Sequence, residues 1–313
     1  MADTKSKTAV TIRDLQSFED LKQAEEVERE VWGLADLDVT PMTLAIATKE
    51  AGSIWVGAFD GAKLAGFAFG FLGLERGQLI VHSHMLAVRE SYRNSHLGYK
   101  LKLAQRERAL ALRIDNGVTS DRINDLRIHE MTWTFDPLQS KNAHLNFARL
   151  GVVSENYKPD FYGPETSSVL HRNSTDRLWV TWPLVSRRVQ DRLQNKDNRA
   201  EILDKLTTLT PLIRFNGDGR PVPTGLSAAL SRQRIAIEIP SDIGDVERKD
   251  PALAKEWRLQ TRWAFTEALK AEFLVAEFCR TVRGHQGPGA YLLEKAKIED
   301  YVPEMKRKPG NPR

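Results

Sequence analysis

The chain has 313 residues, 46 basic against 42 acidic, with a formal charge of +4 and 41% hydrophobic residues. That length allows one large or two ordinary domains, and that composition excludes a disordered or fibrous chain, while the near-cancellation of charge argues against a nucleic-acid partner. The single cysteine, Cys279, excludes an internal disulfide and a cysteine-cluster zinc site, and its apolar setting FLVAEFC reads as a buried, inert thiol. The opening MADTKSKTAV has no apolar h-region, and the longest apolar run, LAGFAFGFLGL at 64–74, is too short to span a bilayer. A cytoplasmic protein without membrane contact is expected.

In chain order, TAVTIRDL at 8–15 alternates as a strand. SFEDLKQAEEVEREVW follows, with Ser17 as cap and Leu21, Ala24, Val27 and Val31 at helical spacing. SIWVGAFD at 53–60 and KLAGFAFGFLG at 63–73 form a hairpin about Asp60-Gly61, and LIVHSHMLAV at 79–88 pairs beside them. A helix is predicted from about Leu97 to Ile114, then a polar loop DNGVTSDRINDL, then the strand IHEMTWTF at 128–135, ended by Asp136-Pro137. SKNAHLNFARLG at 140–151 opens on a capping serine and closes on Gly151, a short helix, with strands in VVSENY and DRLWVTWPL beyond it.

From Leu184 the character changes. A polar helical stretch at 184–205 reads as a linker helix between a domain at 8–183 and a smaller α+β domain at 206–313. The latter contains PLIRFNGDGRPV, the strand RIAIEIP, the amphipathic helix DPALAKEWRLQTRWAFTEALK and the strands FLVAEFCRTV and AYLLEK. Its strand, helix, strand order loosely echoes 79–135, a degenerate repeat without matching motif residues. The glycine turns NGDG at 216–219 and RGHQGPG at 283–289 are not phosphate loops, since neither opens a helix after a strand. The basic tail Lys306-Arg307-Lys308 and the pair Arg187-Arg188 read as solvated charge.

The break at Arg93-Asn94-Ser95-His96-Leu97-Gly98, between an apolar strand and a helix, presents several backbone N–H groups to one point. Such a point suits a diphosphate, met by amides from Asn94 to Tyr99, the Arg93 side chain and the helix dipole. This stretch, MLAVRESYRNSHLGYKLKLAQRERAL, and the element order around it resemble the GNAT acyltransferase superfamily over residues 8–183. Its signature is Arg/Gln-x-x-Gly-x-Gly/Ala, with His96 standing for the first glycine. The resemblance implies a mixed, mostly antiparallel α+β sheet flanked by helices, and transfer of an acyl group from acetyl-CoA or another acyl-CoA to an amine. DPLQSKNAHLNFARLG resembles the family's later helix. Asn142 there takes the place of an amide on the CoA arm, and Phe147 that of the tyrosine which often protonates the leaving thiolate. Phenylalanine has no proton to give, so Tyr157, Tyr162, water or unaided departure are the alternatives.

The resemblance further implies a bulge near the end of the strand before the turn. It frees the Leu86 amide to hold the thioester carbonyl, while Ala87 and Val88 lend backbone groups to the pantetheine. It maps a general base onto His82, with His84 on the same face of an unbulged strand; a histidine bonded to a neighbour on a sheet face explains either one equally well. An imidazole near 6.5 suits proton removal from an ammonium. Glu130, Asp136 and Glu155 are further candidates for holding the acceptor, and His144 and Asn146 for lining a pocket; solvent, a turn and an exposed helix face explain them as well. His82-x-His84 lacks a third metal ligand, so no metal is expected. The acceptor is expected to be a small molecule such as an amino acid. A non-catalytic CoA-binding regulator or scaffold is the alternative, and a second copy of the chain the alternative partner.

Overall fold

The computed structural model describes residues 9–112, 127–163, 168, 173–196, 199–282 and 288–302. The expected loop at 115–126, most of the glycine turn at 283–289 and the basic tail lie outside the described residues. The chain adopts the expected mixed α+β class and divides into two compact units, residues 1–132 with 167–172, and residues 133–166 with 173–313.

In the first unit, Ser17 accepts the Asp20 amide at 3.1 Å, and the Asp20 carboxylate accepts the Ser17 N–H at 3.2 Å. That reciprocal cap starts α1 (Phe18–Trp32), and Arg13, on β1 (Thr11–Asp14), clamps Asp20 with two bonds of 2.7 and 2.8 Å. The strands β2 (Ile54–Asp60), β3 (Lys63–Glu75) and β4 (Gln78–Val88) then form an antiparallel meander, β2 pairing β1 on its other side. A helix that the sequence pattern does not announce, α2 (Met42–Glu50), packs with α1 on one face. Leu21, Ala24 and Val27 meet Trp55, Phe67, Phe69 and Met85 there. On the opposite face Leu97, Leu101 and Ala104 of α3 (Leu97–Ala111) cover Val56, Ala58, Ala65 and Ala68. The strand alternation of small and large residues therefore serves two helical layers at once. Among the described residues of this unit only β5 (Glu130–Phe135) pairs parallel, with Val81 opposite Met131 and His82 opposite Thr132.

The second unit begins within β5. Helix α4 (Ser140–Ala143) widens directly into a π-helix over His144–Leu150, ended by left-handed Gly151. The strands β6 (Val153–Lys158) and β7 (Arg177–Pro183) follow, then α5 (Arg187–Leu193), α6 (Arg199–Thr207), β8 (Pro211–Phe215), β9 (Pro221–Pro223), α7 (Leu226–Leu230), β10 (Arg234–Ile239), α8 (Ile243–Lys249), α9 (Pro251–Lys270), β11 (Phe273–Cys279) and β12 (Gly289–Lys295). Their order is β7-β6-β11-β12-β10-β8-β9, antiparallel except for β8 with β10.

This pairing moves the expected division of the chain. Ser154 on β6 pairs with Val275 on β11, so β6 and β7 join the C-terminal strands in one compact unit, and the units part at 132/133 rather than at 183/184. The expected linker helix is two short helices, and α5 is pinned to the sheet where Arg188 and Arg192 both reach Glu277 of β11, at 2.8 and 2.6 Å. The internal echo also shifts. It lies between β5-α4-β6-β7 and β10-α9-β11-β12, in each of which the last strand inserts between the first two. Its halves meet at the antiparallel pair β6/β11, giving the palindromic order β5-β7-β6-β11-β12-β10.

The second core gathers around Tyr291. Its ring lies edge-on to Phe147 at 5.7 Å and to Phe265 at 5.1 Å, and its hydroxyl donates to the Pro137 carbonyl at 2.7 Å. Beside it Arg258 of α9, almost wholly enclosed, forks onto Asp136 with bonds of 2.7 and 2.8 Å and donates to the Asn173 carbonyl at 2.9 Å. Among the described residues no helix is long and apolar enough to cross a membrane. Removing one partner of an enclosed ion pair strands the other charge, so Arg258→Ala is expected to lose about 3–5 kcal/mol in urea unfolding. Adding Asp136→Ala to it should lose much less than the two single losses combined.

Candidate active site

The local order of the first unit is set by one backbone hydrogen bond at the end of β4. The Arg89 N–H donates to the Ala65 carbonyl at 2.9 Å, with Gly66 opposite Val88, Phe67 opposite Ala87 and Ala68 opposite Leu86. Residues of an antiparallel strand alternately address their neighbour and turn away from it. Arg89 and Ala87 therefore face β3, and Leu86 and Val88 direct their N–H and C=O groups to the outer edge. The Arg93 Nε–H donates to the Val88 carbonyl at 3.3 Å, from that outer side. Leu86 lies beyond the last β5 rung, at His82. Ala87, whose backbone addresses β3, does not share this exposure, which corrects its expected role beside Val88.

The expected bulge near the end of the strand is present, at His84. Phe69 faces Met85 and Gly70 faces Ser83, which leaves His84 as the extra residue. The bulge returns Met85 to the α1 face while Ser83 points to α3. The two histidines stay together, their rings 6.3 Å apart and each against Phe71, at 5.4 and 5.9 Å. His82 Nδ1 lies 3.0 Å from Thr132 Oγ1, which fixes the ring. Burial, with the charges of His84 and Lys102, pulls His82 down to about 4, and burial lowers His84 as well. The imidazole is thus neutral at physiological pH and a weaker base than its ordinary value near 6.5 suggests.

After β4 the chain makes a 3-10 turn over Glu90–Tyr92, and the next residues bend sharply: Asn94 and His96 both take left-handed backbone, φ 63° and 61°, with the intervening Ser95 on the ordinary side. Alternation of this kind turns successive N–H groups to one side. His96 is the N-cap of α3 and its side chain makes no capping bond, so the first-turn amides of Leu97, Gly98 and Tyr99 are not covered by it. Ser95 Oγ donates to the Tyr92 carbonyl at 2.5 Å, and Arg93 through His96 are exposed. A methyl group at Gly98 would meet only Leu86 Cδ2, at 3.8 Å. The fold itself does not require glycine there.

Two charged groups escaped sequence reasoning. Lys102, fully enclosed on α3, donates to Ser83 Oγ at 2.6 Å, and Ser83 Oγ donates to Gln105 Oε1 at 2.7 Å, a chain directly beneath the bulge. Burial holds the Lys102 ammonium well below its ordinary range. A side chain at Gly70 would collide with Gln105, its Cβ only 2.8 Å from Nε2. On the other face Glu28 is 1% exposed, accepts the Thr40 N–H at 2.8 Å and is pushed up to about 7 by burial, while Thr40 Oγ1 touches Met85 Sδ at 4.0 Å. Both charges are marked in the sequence: Gly98, Lys102, Gln105 and Ala109 share one stripe of α3, and Glu28 stands between Ala24 and Val31 in the apolar stripe of α1.

The remaining candidates belong to the second unit. Asn142 is exposed at the start of α4. Phe147 is fully enclosed between Phe135 and Tyr291, a core side chain rather than a cofactor-lining one. The Tyr157 hydroxyl donates to Asp176 Oδ2 at 2.6 Å, and burial with that carboxylate holds its proton well above the ordinary range. Asp176, also gripped by Arg262, is pulled down to about 2. Tyr162 is exposed, beneath the Arg177 guanidinium. Asp136 shapes its turn by accepting the Leu138 N–H at 2.9 Å and is otherwise held by Arg258; in the first unit, Glu130 is enclosed and paired with Arg76 at 2.9 Å rather than facing solvent. Among the described residues no three His, Cys, Asp or Glu side chains are grouped to hold a metal ion.

No family model matches the chain, and no curated protein matches it. Among solved structures it is similar to the ribosomal-protein-S18-alanine N-acetyltransferase from Escherichia coli, at 15% identity over 56% of this chain and 94% of that chain, with a TM-score of 0.40. It is also similar to aminoglycoside 6'-acetyltransferase type Ii, at 15% identity over 56% of this chain and 99% of that one, TM-score 0.39. A third is Ard1 from Thermoplasma volcanium, at 13% identity over 55% and 96%, TM-score 0.38.

Half-buried His82 on β4 and buried Glu28 on α1 bias stability in opposite directions. Unfolded, His82 takes a proton near 6.5 that the folded chain refuses until about 4, so its contribution is full above 6.5 and falls as pH drops through that window. Glu28, raised from 4.5 to about 7, contributes fully below 4.5 and loses its contribution as pH rises through 7. Urea midpoints are expected to show Glu28→Gln gaining relative stability toward pH 7. His82→Asn should lose the destabilisation below 6.5, each slope approaching about 1.4 kcal/mol per pH unit.

Proposed function

We propose that the chain is a cytoplasmic CoA-dependent N-acyltransferase, moving an acetyl or succinyl group from acyl-CoA to the amine of a small molecule such as an amino acid. One observation carries this reading: beside a turn whose amides gather at the start of α3, β4 directs the Leu86 N–H to its outer edge. A diphosphate suits the turn, through the amides of Asn94 to Tyr99 and the Arg93 guanidinium, and the surface left open at Gly98 suits its close approach. The Leu86 amide is assigned to the thioester carbonyl, where it strengthens as the oxygen gains charge. Val88 supplies the backbone group to the pantetheine.

In this reading the amine attacks the thioester carbon, a C–N bond forms, the C–S bond breaks and the electron pair leaves on sulfur. The ammonium proton passes to His82 directly or through water. Burial keeps His82 neutral, hence able to accept a proton, at the cost of basicity. With Tyr157 committed to Asp176, the thiolate, near its ordinary value of about 8.5, leaves without a phenolic donor. The weak basicity of His82 and the left-handed, non-glycine His96 favour the alternative reading, a regulator that binds CoA without turning it over.

Release of free thiol from acetyl-CoA and succinyl-CoA across a panel of amines separates the two readings, because a regulator liberates none. His82→Ala is expected to lower kcat about 10²–10⁴-fold with acyl-CoA affinity kept; wild-type turnover removes His82 from the mechanism. In the wild type the acidic limb of kcat/KM belongs near pH 4, and a limb near 7 that vanishes in Glu28→Gln transfers the role of base to Glu28. Gly98→Ala is expected to keep or raise the melting temperature while weakening acyl-CoA binding about tenfold or more. Unchanged calorimetric affinity in that variant removes the diphosphate from the turn.

A further inference from the structure

A cavity of ≈ 490 Å³ opens in the second unit between the π-helix, the end of α5, α6 and the end of β11. That is the size of a small-metabolite pocket. Its lining is chemically one-sided: Arg149, Arg192, Lys196 and Arg280 contribute four cations, and among the described residues no carboxylate lines it. The deepest of them, Arg192, has a side chain 6% exposed and meets Glu277 at 2.6 Å, but Glu277 also serves Arg188 at 2.8 Å. Glu277 is thus shared by two guanidiniums, and Glu201 of α6 also acts on Arg192. Lys196 and Arg280 are exposed at the rim, and Lys196 stands 3.6 Å from Asp191. Ala148, Ile202 and Phe278 supply a small apolar patch between the charges.

The π-helix explains why this wall is basic. His144 and Arg149 are five residues apart, and in an α-helix they would point about 140° away from each other. The widened turn, whose hydrogen bonds span five residues, brings positions five apart onto one face, and both residues line the cavity. Straightening the helix would withdraw one of them. Gathering cations around a concave, partly dry space costs stability through their mutual repulsion, and an anion of matching valence relieves it.

We propose that this cavity binds a small molecule carrying two or more negative charges, a polycarboxylate or a phosphate ester, held by the arginine forks of Arg149 and Arg192 with Lys196 and Arg280 at the rim. The cavity is lined by residues of the second unit alone, whereas the turn at Arg93–Gly98 belongs to the first, and the proposal does not depend on acyl transfer.

Calorimetry with inorganic pyrophosphate and with citrate, at matched ionic strength in sodium chloride, tests this and separates phosphate from carboxylate chemistry. At least one probe is expected to bind more tightly than about 1 mM. Binding should weaken about tenfold or more in the rim variant Lys196→Gln/Arg280→Gln, which touches no enclosed pair. Ala148→Trp, which fills the cavity without changing its charge, should weaken it as well, and Arg93→Gln should leave it unchanged. The melting temperatures of the unliganded variants show that each folds. The proposal is overturned if neither probe binds, if binding survives in the rim variant or the filled one, or if Arg93→Gln abolishes it.

Discussion

A single hydrogen bond, from the Arg89 N–H to the Ala65 carbonyl, sets the phase of everything at the end of β4. Sheet hydrogen bonding has a period of two, so one residue of slip would turn Leu86 and Val88 toward β3 and expose Ala87 instead. The phase is over-determined. Arg89 Nε also donates to the Leu64 carbonyl at 2.8 Å, and its guanidinium pairs with Glu30 and Glu26 on α1. Side-chain packing sets the same register independently, with Met85 and Ala87 buried toward α1 and Leu86 and Val88 toward α3. The bulge at His84 is what makes these two demands compatible with Ser83 facing Lys102. Without that extra residue Ser83 and Met85 would lie on the same face.

The second unit depends on a different kind of constraint. There charge is enclosed rather than exposed: Asp136 with Arg258, Asp176 with Arg262 and Tyr157, and Glu277 with Arg188 and Arg192. Each pair joins residues far apart in sequence, 122 positions between Asp136 and Arg258. Enclosed pairs of this kind seldom add net stability over an apolar core, but a mispaired alternative would leave a bare charge inside. Their contribution lies in selecting one packing of α9 and α5 against the strands.

The local features are legible in the sequence. The Asp60-Gly61 hairpin, the Ser17 cap and the strand-turn-helix at 83–103 are written in residues close along the chain, and each forms where its pattern points. Helix α2 is not legible, because Pro41 offers no capping side chain and MTLAIATKE has apolar residues without a clear stripe. Nor is the bulge at His84, since HSHMLAV reads equally well as an unbroken strand, and only the positions of Gly70 and Phe69 opposite reveal the extra residue. The division at 132/133 depends on Ser154 meeting Val275, a pairing no local pattern encodes. Phe147, matched through a resemblance, is a core residue whose contact with Tyr291 is decided by the remote strand β12. Glu28 and Lys102 are the instructive misses, since a charge within an apolar stripe can be seen in the residue pattern alone. The layers packed against α1 and α3 turn them from surface residues into buried ones.

These two charges bear on the chemistry proposed for His82 through the strand that separates them. Lys102 reaches Ser83 from the α3 face and Glu28 approaches Met85, by way of Thr40, from the α1 face; His82, its ring 6.3 Å from that of His84, feels the charge of Lys102. Proximity to Lys102 discourages a second positive charge on His82, while burial discourages charge on all of them. A proton arriving from an attacking amine would therefore be held only weakly by His82. Glu28, raised to about 7 by its own burial, holds a proton far more readily than an ordinary carboxylate, so the two groups are shifted in opposite directions by the same cause. Burial thus keeps a neutral imidazole on the bulged strand and a protonated carboxyl on the helix packed against the same sheet, each the form that carries no charge.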